Sequence, residues 1–223
     1  MKRREISAQQ IDELLQGKAI CRRGRDGDPK VALNSDEVVK IYYLKRKSFF
    51  RRNINTAAGN FVANAKCLAE LQITTVKVTG WYRCKERCCD VVIYQALPGK
   101  TLYEFKHDDM NEQLLQKLAQ FIAALHKKGI YFRAGHGDNY LCLPDGRFAL
   151  IDIDNLRFSI GLRRVAKNLS YLYKHAADNN FDYLMRYGYE RFLEDYFFAA
   201  HVSLYKKWLI AHLVRYYLNQ SVS

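Results

Sequence analysis

The segment LPGKTL, residues 97–102, divides this sequence more sharply than any other stretch. Pro98 has no backbone N–H and Gly99 is a weak member of either regular element, so both a strand and a helix are expected to stop there. Before the break the pattern is that of short strands: AICRR, KVALN, EVVKIYY, VKVTGWYRC and CDVVIYQAL. They are rich in β-branched and aromatic residues and are separated by turn-forming stretches such as GRDGDP and KER. After the break most of the chain has helical spacing. These 223 residues are therefore expected to form an α+β protein of two lobes, a small antiparallel-sheet lobe over residues 1–97 and a helical lobe over 98–223.

Helix boundaries carry their own signals. In SAQQIDELLQG, Ser7 can cap the first turn with Gln10 three residues on, Gly17 can end the helix, and Ile11, Leu14 and Leu15 form one apolar stripe. TAAGNFVANAKCLAELQI has the same periodicity. NEQLLQKLAQFIAALHKKG is the clearest helix, with Leu114, Leu118, Phe121, Ile122 and Leu125 on one face and Gly129 at its end. YLCL and FALI flank PDGR, a hairpin turn. The final stretch SLYKKWLIAHLVRYYL mixes apolar, aromatic and basic residues, and packing on the second lobe is its expected role. Docking on a membrane surface is the alternative.

Charge narrows the partners. With 36 Lys+Arg against 23 Asp+Glu the formal net charge is +13, and the basic residues come in clumps, among them Lys45-Arg46-Lys47 and Arg51-Arg52. Such a surface attracts polyanions: a phosphorylated glycan, anionic lipid or nucleic acid. The stretch YLKRKSFFRR, where basic side chains alternate with aromatic ones, is the expected membrane or glycan-phosphate contact. No RNP, KH or helix-turn-helix pattern supports a nucleic-acid-binding module. The N-terminal MKRREISAQQIDELL has no apolar core of the kind a secretory signal needs, and no stretch reaches the ~20 apolar residues of a membrane span. A cytoplasmic location follows as the expectation. The six cysteines are then expected to be thiols. CKERCC lacks the second ligand pair of a zinc site and reads as a turn between strands.

The chemistry lies in the order of a few polar residues. Lys40 sits inside the apolar strand EVVKIYY, where an ammonium group needs a partner or a function. A helix and a strand pair follow. Beyond the Pro-Gly break come a long helix, the polar loop FRAGHGDN and a hairpin that leads into LIDID. This order, over roughly residues 18–160, resembles the protein-kinase-like superfamily, and within it the bacterial lipopolysaccharide core kinases of the Kdo kinase and WaaP-like heptose kinase group.

The resemblance implies a nucleotide-covering first lobe, a catalytic loop in the second, and ATP with Mg²⁺ as cofactors. Lys40 looks like the strand lysine that binds the α and β phosphates. Asn139 and Asp152 look like the metal-holding pair. His136 matches the histidine of the D-L-H-x-x-N loop of small-molecule kinases. YQALPG resembles the hinge, placing Gln95 and Leu97 against adenine, and RGRDGDP would cover the phosphates. The implied acceptor is a sugar of the lipopolysaccharide inner core or another anionic acceptor, met at the cytoplasmic face of the inner membrane.

Two departures stand out. Where the motif H-R-D-L-H-x-x-N has its catalytic aspartate, this chain has Ala134, preceded by Phe132 in place of the histidine. Where a helix glutamate pairs the strand lysine, it has Asn64, an amide that can hydrogen-bond Lys40 without an ion pair. Asp138, with His136 beside it, is the candidate replacement base. Asp154 is expected on the same side as Asp152 if that segment is extended. Gly135 and Gly137, flanking His136, are expected to give the loop an unusual backbone path. A pseudokinase, a scaffold of the same fold without catalysis, is the rival reading.

Overall fold

The computed structural model describes residues 1–24, 26–44, 56–105, 111–178 and 182–220. Arg25 and the basic clumps at Lys45, Arg46, Lys47, Arg51 and Arg52 lie outside the described residues. The chain divides into two compact units, Met1–Pro98 and Gly99–Ser223.

The first unit runs β1 (Arg4–Glu5), α1 (Ala8–Leu15), β2 (Ala19–Arg23), β3 (Pro29–Leu33), β4 (Glu37–Tyr43), α2 (Ala57–Glu70), β5 (Val78–Cys84) and β6 (Cys89–Gln95). Its six strands form one sheet in the order β1-β5-β6-β4-β3-β2. All neighbours pair antiparallel except β1, which runs parallel to β5. Two residues are too few to show a period, so this edge strand leaves no trace in the sequence pattern. At the other edge, β2 meets β3 with register shifts between Ile20 and Arg22 and between Arg22 and Arg23.

Alternation along β4 sorts its side chains onto two faces. Val39 and Ile41 enter a core with Ile11 of α1, Cys84, Cys89, Val91 and Ile93. Val38, Lys40 and Tyr42 fall on the opposite face. There Phe61 of α2 lies 6.4 Å from the Tyr42 ring and 5.3 Å from that of Tyr94. CKERCC is the β5–β6 turn: Cys84 and Cys89 are cross-strand partners in the core and Cys88 is exposed. Burial pushes the Cys89 thiol up to about 12, which disfavours the thiolate that a metal ligand must be.

The expected capping box of α1 is present. Ser7 Oγ accepts from the Gln10 N–H at 3.1 Å, and Gln10 Oε1 accepts from the Ser7 N–H at 2.9 Å. Ser7→Ala should lower the unfolding free energy by about 1 kcal/mol, read as a shift of the urea midpoint with an unchanged slope.

The second unit holds β7 (Lys100–Thr101), α3 (Glu112–Lys127), β8 (Tyr131–Phe132), β9 (Tyr140–Cys142), β10 (Phe148–Leu150), β11 (Leu156–Arg157), α4 (Leu162–Asp178), α5 (Asp182–Tyr187), α6 (Tyr189–Ala200) and α7 (Leu204–Asn219). The β9–β10 hairpin surrounds PDGR, and β7 adds to β9 to make three strands in the order β10-β9-β7. β8 and β11 form a separate antiparallel pair, which closes the chain between them into a loop. α3 packs on α6 and α4 on α7.

Leu114, Leu118, Ile122 and Leu125 are buried on α3 as expected, while Phe121 sits at the margin of that face, its ring 5.9 Å from Phe148. His126 shares the buried face. The buried residues of α7 are Ile210 and Val214, both beyond its first turn. Among the described residues no helix is long and apolar enough to cross a membrane.

Candidate functional site

In the first unit, Lys40 is held by the register of β4 between Val31 of β3 and Val92 of β6. Its Nζ lies 5.0 Å from the Tyr42 ring centroid and 5.1 Å from that of Phe61. Aromatic faces stabilise an ammonium group in this half-buried position. Asn64, one turn after Phe61 on α2, is buried on the same side of that helix. The helix thus brings an amide, where the resemblance calls for a carboxylate, to the face of the sheet that carries Lys40. Glu70 is exposed and lies 3.8 Å from Lys66. At the end of β6, Gln95 donates its N–H to the Lys77 carbonyl at 3.0 Å, and Leu97 follows outside any regular element.

In the second unit, the loop from β8 to β9 folds back on itself. Asn139 is buried, and its Nδ2 donates to the Ala134 carbonyl at 2.8 Å and to His136 Nε2 at 3.0 Å. Only the amide nitrogen can donate to a carbonyl, so this contact assigns Nδ2 to the Ala134 side and leaves Oδ1 as the other arm of the amide. Because His136 Nε2 accepts, the neutral ring carries its proton on Nδ1. That atom lies 3.5 Å from Asp138 Oδ2. The Asp138 side chain is 51% exposed.

The Ile151 N–H bonds the Asn139 carbonyl at 3.2 Å, which ties the loop to the strand leading into Asp152. Asp152 has φ 54° and ψ 48°, the left-handed region. Non-glycine residues rarely adopt it, and aspartate is among those that do so at least cost. A short 3-10 turn over Ile153–Asn155 follows at once. The segment is therefore not extended, and alternation cannot place Asp154 on the side of Asp152. Asp154 Oδ1 instead accepts from Asn155 Nδ2 at 2.8 Å.

Gly135 and Gly137 are needed for a different reason from the one their sequence context suggests. Neither has a positive φ. A Cβ on Gly135 would stand 2.3 Å from Asn168 Nδ2, and one on Gly137 would stand 2.3 Å from Cε1 of Tyr103. Close approach of neighbouring side chains, not backbone freedom, requires glycine here.

Five further residues bear on this loop, and the sequence reading singled out none of them: Asn168, His126, Tyr196, His175 and Tyr103. Asn168 of α4 donates Nδ2 to the Phe132 carbonyl at 3.0 Å and accepts at Oδ1 from His126 Nε2, also at 3.0 Å. His126 Nδ1 then accepts from the Tyr196 hydroxyl at 2.9 Å. This buried relay joins α6, α3 and α4 to the start of the loop. Burial pushes the His126 imidazole down to about 4, against the opposing hydrogen bond to Asn168. From above, His175 of α4 stacks on His136 with ring centroids 4.2 Å apart and an interplanar angle of 14°. Its Nδ1 is 2.9 Å from the Tyr103 hydroxyl.

His136, Asp138 and His175 bring three donor atoms within 4.8 Å of one another. The two rings are nearly parallel, however. Their in-plane lone pairs run side by side instead of converging on a tetrahedral point, so the stack suits a packed loop better than a zinc centre. Asn139 and Asp152 offer the hard oxygen donors that Mg²⁺ favours. A cavity of about 640 Å³ in the second unit is lined by Lys100, Phe105, Lys117, Cys142 and Leu143 among others, at the turn end of the β9–β10 hairpin. It includes none of the candidate catalytic, nucleotide-binding or metal-holding residues.

A sheet unit with a lysine on its helix-covered face, followed by a helical unit whose Asn139 loop and hairpin end at Asp152, has the protein-kinase-like fold. The chain superimposes on an aminoglycoside-3'-phosphotransferase of type VIII with a TM-score of 0.66 and 12% identity, over 93% of this chain and 97% of that one. Two structures of WbdD, described as a bifunctional kinase-methyltransferase, align with 82% of this chain at 15% identity and TM-scores of 0.49 and 0.48, and this chain spans 46% and 47% of their length. No family model matches the sequence. No curated protein matches it either. The likeness is one of fold, and it does not reach the finer grouping with lipopolysaccharide core kinases.

Proposed function

We propose that this protein transfers the γ-phosphoryl group of ATP to a sugar hydroxyl, with Mg²⁺ as the metal. The observation that carries the reading is the Asn139–Asp152 arrangement on a kinase-like fold. An asparagine amide has its nitrogen committed to the Ala134 carbonyl, which leaves its oxygen for a ligand, and the hairpin that follows delivers an aspartate in a left-handed conformation. Such a conformation persists where the surrounding structure over-determines it, which is common at functional sites.

In this reading Asn139 Oδ1 and the Asp152 carboxylate hold the metal, which neutralises phosphate charge when bound. Lys40 adds a fixed positive charge on the α and β phosphates, and Asn64 steadies Lys40 through a neutral hydrogen bond. The Gln95 N–H is engaged with Lys77, so at the hinge Gln95 would meet adenine through its carbonyl and Leu97 through its backbone groups. The bond between the γ-phosphorus and the β–γ bridging oxygen breaks as the acceptor oxygen bonds to phosphorus. The hydroxyl proton passes to Asp138. His136 has its lone-pair nitrogen occupied by Asn139, and its Nδ1 lies 3.5 Å from the Asp138 carboxylate without a hydrogen bond between them. The chain's charge of +13 favours an acceptor that is itself anionic, and a lipopolysaccharide inner-core sugar at the cytoplasmic face of the inner membrane fits that requirement.

Ala134 keeps a second reading in view: a pseudokinase that binds nucleotide and does not turn it over. Nucleotide binding is common to both readings, and thermal unfolding measures it. Saturating Mg-ATP should stabilise the wild type, by about 2.7 kcal/mol at a hundredfold excess over Kd. Lys40→Ala and Asp152→Asn should each abolish the shift. A full shift in both variants would put the nucleotide somewhere else.

A further inference from the structure

We infer that the corner between α6 and α7 is a membrane-docking surface that takes an anionic lipid bilayer. Large apolar side chains are crowded and exposed there: Phe198 is 79% exposed, Leu204 83%, Tyr205 71% and Trp208 65%. The corner is well defined. His201 caps α6 in the left-handed conformation, the N–H groups of His201 and Val202 bond the carbonyls of Phe198 and Phe197, and Ser203 starts α7. α7 is anchored through Ile210 and Val214, so its first turns present their side chains to solvent. Four large exposed apolar residues within eleven positions are a patch, unlike single exposed apolar residues, which are normal on any protein.

The chemistry of the patch chooses the occupant. Lys206 is exposed and Lys207 half-buried, between Tyr205 and Trp208. Protein–protein interfaces are depleted in lysine at their centres. Aromatic side chains interleaved with lysine are instead the composition of segments that lie in the headgroup region, where rings enter the acyl boundary and ammonium groups stay at the phosphates. The chain's charge of +13 adds long-range attraction to an anionic leaflet. No described helix can cross a bilayer, so the contact lies on the surface. The expected basic contact at Lys45–Arg52 lies outside the described residues, and the α6–α7 corner is a separate surface. This inference does not depend on phosphoryl transfer.

Co-sedimentation of the full chain with vesicles of phosphatidylcholine, with and without phosphatidylglycerol, tests it. The wild type should bind the mixed vesicles and bind pure phosphatidylcholine much less. Phe198→Ser with Trp208→Ser should weaken binding to the mixed vesicles by roughly tenfold or more, since two buried aromatic side chains exceed that in transfer free energy. These positions are exposed, so an unchanged melting temperature should show that the fold is intact. Lys206→Gln with Lys207→Gln should reduce the preference for phosphatidylglycerol. No binding by the wild type to either vesicle would overturn the inference, as would equal binding by the Phe198/Trp208 variant. A wild-type dimer in solution that this variant turns into a monomer would assign the corner to a second copy of the chain and overturn it equally.

Discussion

Asp138→Asn should slow phosphoryl transfer by about 10²-fold or more and leave the Mg-ATP thermal shift in place. Asparagine keeps the size and polarity of the side chain and removes only the ability to take a proton. That single loss corresponds to ~2.7 kcal/mol of transition-state stabilisation. The prediction is demanding because Asp138 is half-exposed and sits on a short 3-10 turn, with His136 Nδ1 3.5 Å from its carboxylate and no hydrogen bond between them. His136→Ala, which leaves the carboxylate but removes the imidazole beside it, should give a smaller loss. Ala134→Asp provides the complementary arm. It restores a carboxylate at the position where the resembling kinases have their base, and it should raise turnover above wild type or rescue Asp138→Asn. If the wild type binds Mg-ATP without consuming it, with or without core oligosaccharide, and Ala134→Asp changes nothing, the pseudokinase reading replaces the catalytic one. Unaltered turnover in Asp138→Asn, with an active wild type, would remove Asp138 as the base.

Stability should fall steeply below pH 6.5 because of His126. In the unfolded chain this imidazole takes a proton near its ordinary value of about 6.5, whereas in the folded chain burial delays protonation to about 4. Between those values the unfolded state holds more protons than the folded one, so acid favours unfolding. The contribution is fully present above pH 6.5 and is lost as the pH falls through 4, on the order of 3 kcal/mol in all. His126→Gln removes the titrating group and keeps a donor toward Asn168. The wild type should lose more stability than this variant between pH 7 and pH 4.5, measured by urea unfolding at each pH. Equal losses would mean that carboxylates elsewhere account for the acid sensitivity. The effect concerns function as well as stability, because the Tyr196–His126–Asn168 relay ends on the Phe132 carbonyl, where the Asn139 loop begins.

Some of this was legible in the sequence and some was not, and the division follows the range of the interactions. Ser7 and Gln10, Lys40 within an apolar strand, and PDGR between two short strands are local patterns, and each appears as read. The pairing of Arg4–Glu5 with β5 joins residues far apart in the chain and has no period to betray it. His126 gave one hint: it falls on the apolar stripe of α3, four residues after Ile122. Nothing local, however, says that Tyr196 and Asn168 meet it. His175 and Tyr103 converge on His136 from distant segments in the same way. At Gly135 and Gly137 the residue type was informative and the cause was not, since a glycine required by a crowded neighbour looks the same in sequence as one required by φ. Asp152 shows the reverse, a left-handed residue that is not glycine.

The two borders of the six-stranded sheet bear on how the protein behaves when crowded with copies of itself. An open sheet offers the backbone groups of its outermost strands to any other strand, and long flat borders of that sort seed aggregates. Here one border is β1, two residues long and made of the opposite charges Arg4 and Glu5. The other is β2, whose register shifts beside Arg22 interrupt the regular row of hydrogen-bonding groups and which ends in a pair of arginines. Neither gives a second chain the even, uncharged ladder it would need to continue the sheet. The first unit can therefore keep a strand-rich, aromatic-rich fold and still remain dispersed at concentrations where a smooth-edged sheet would precipitate.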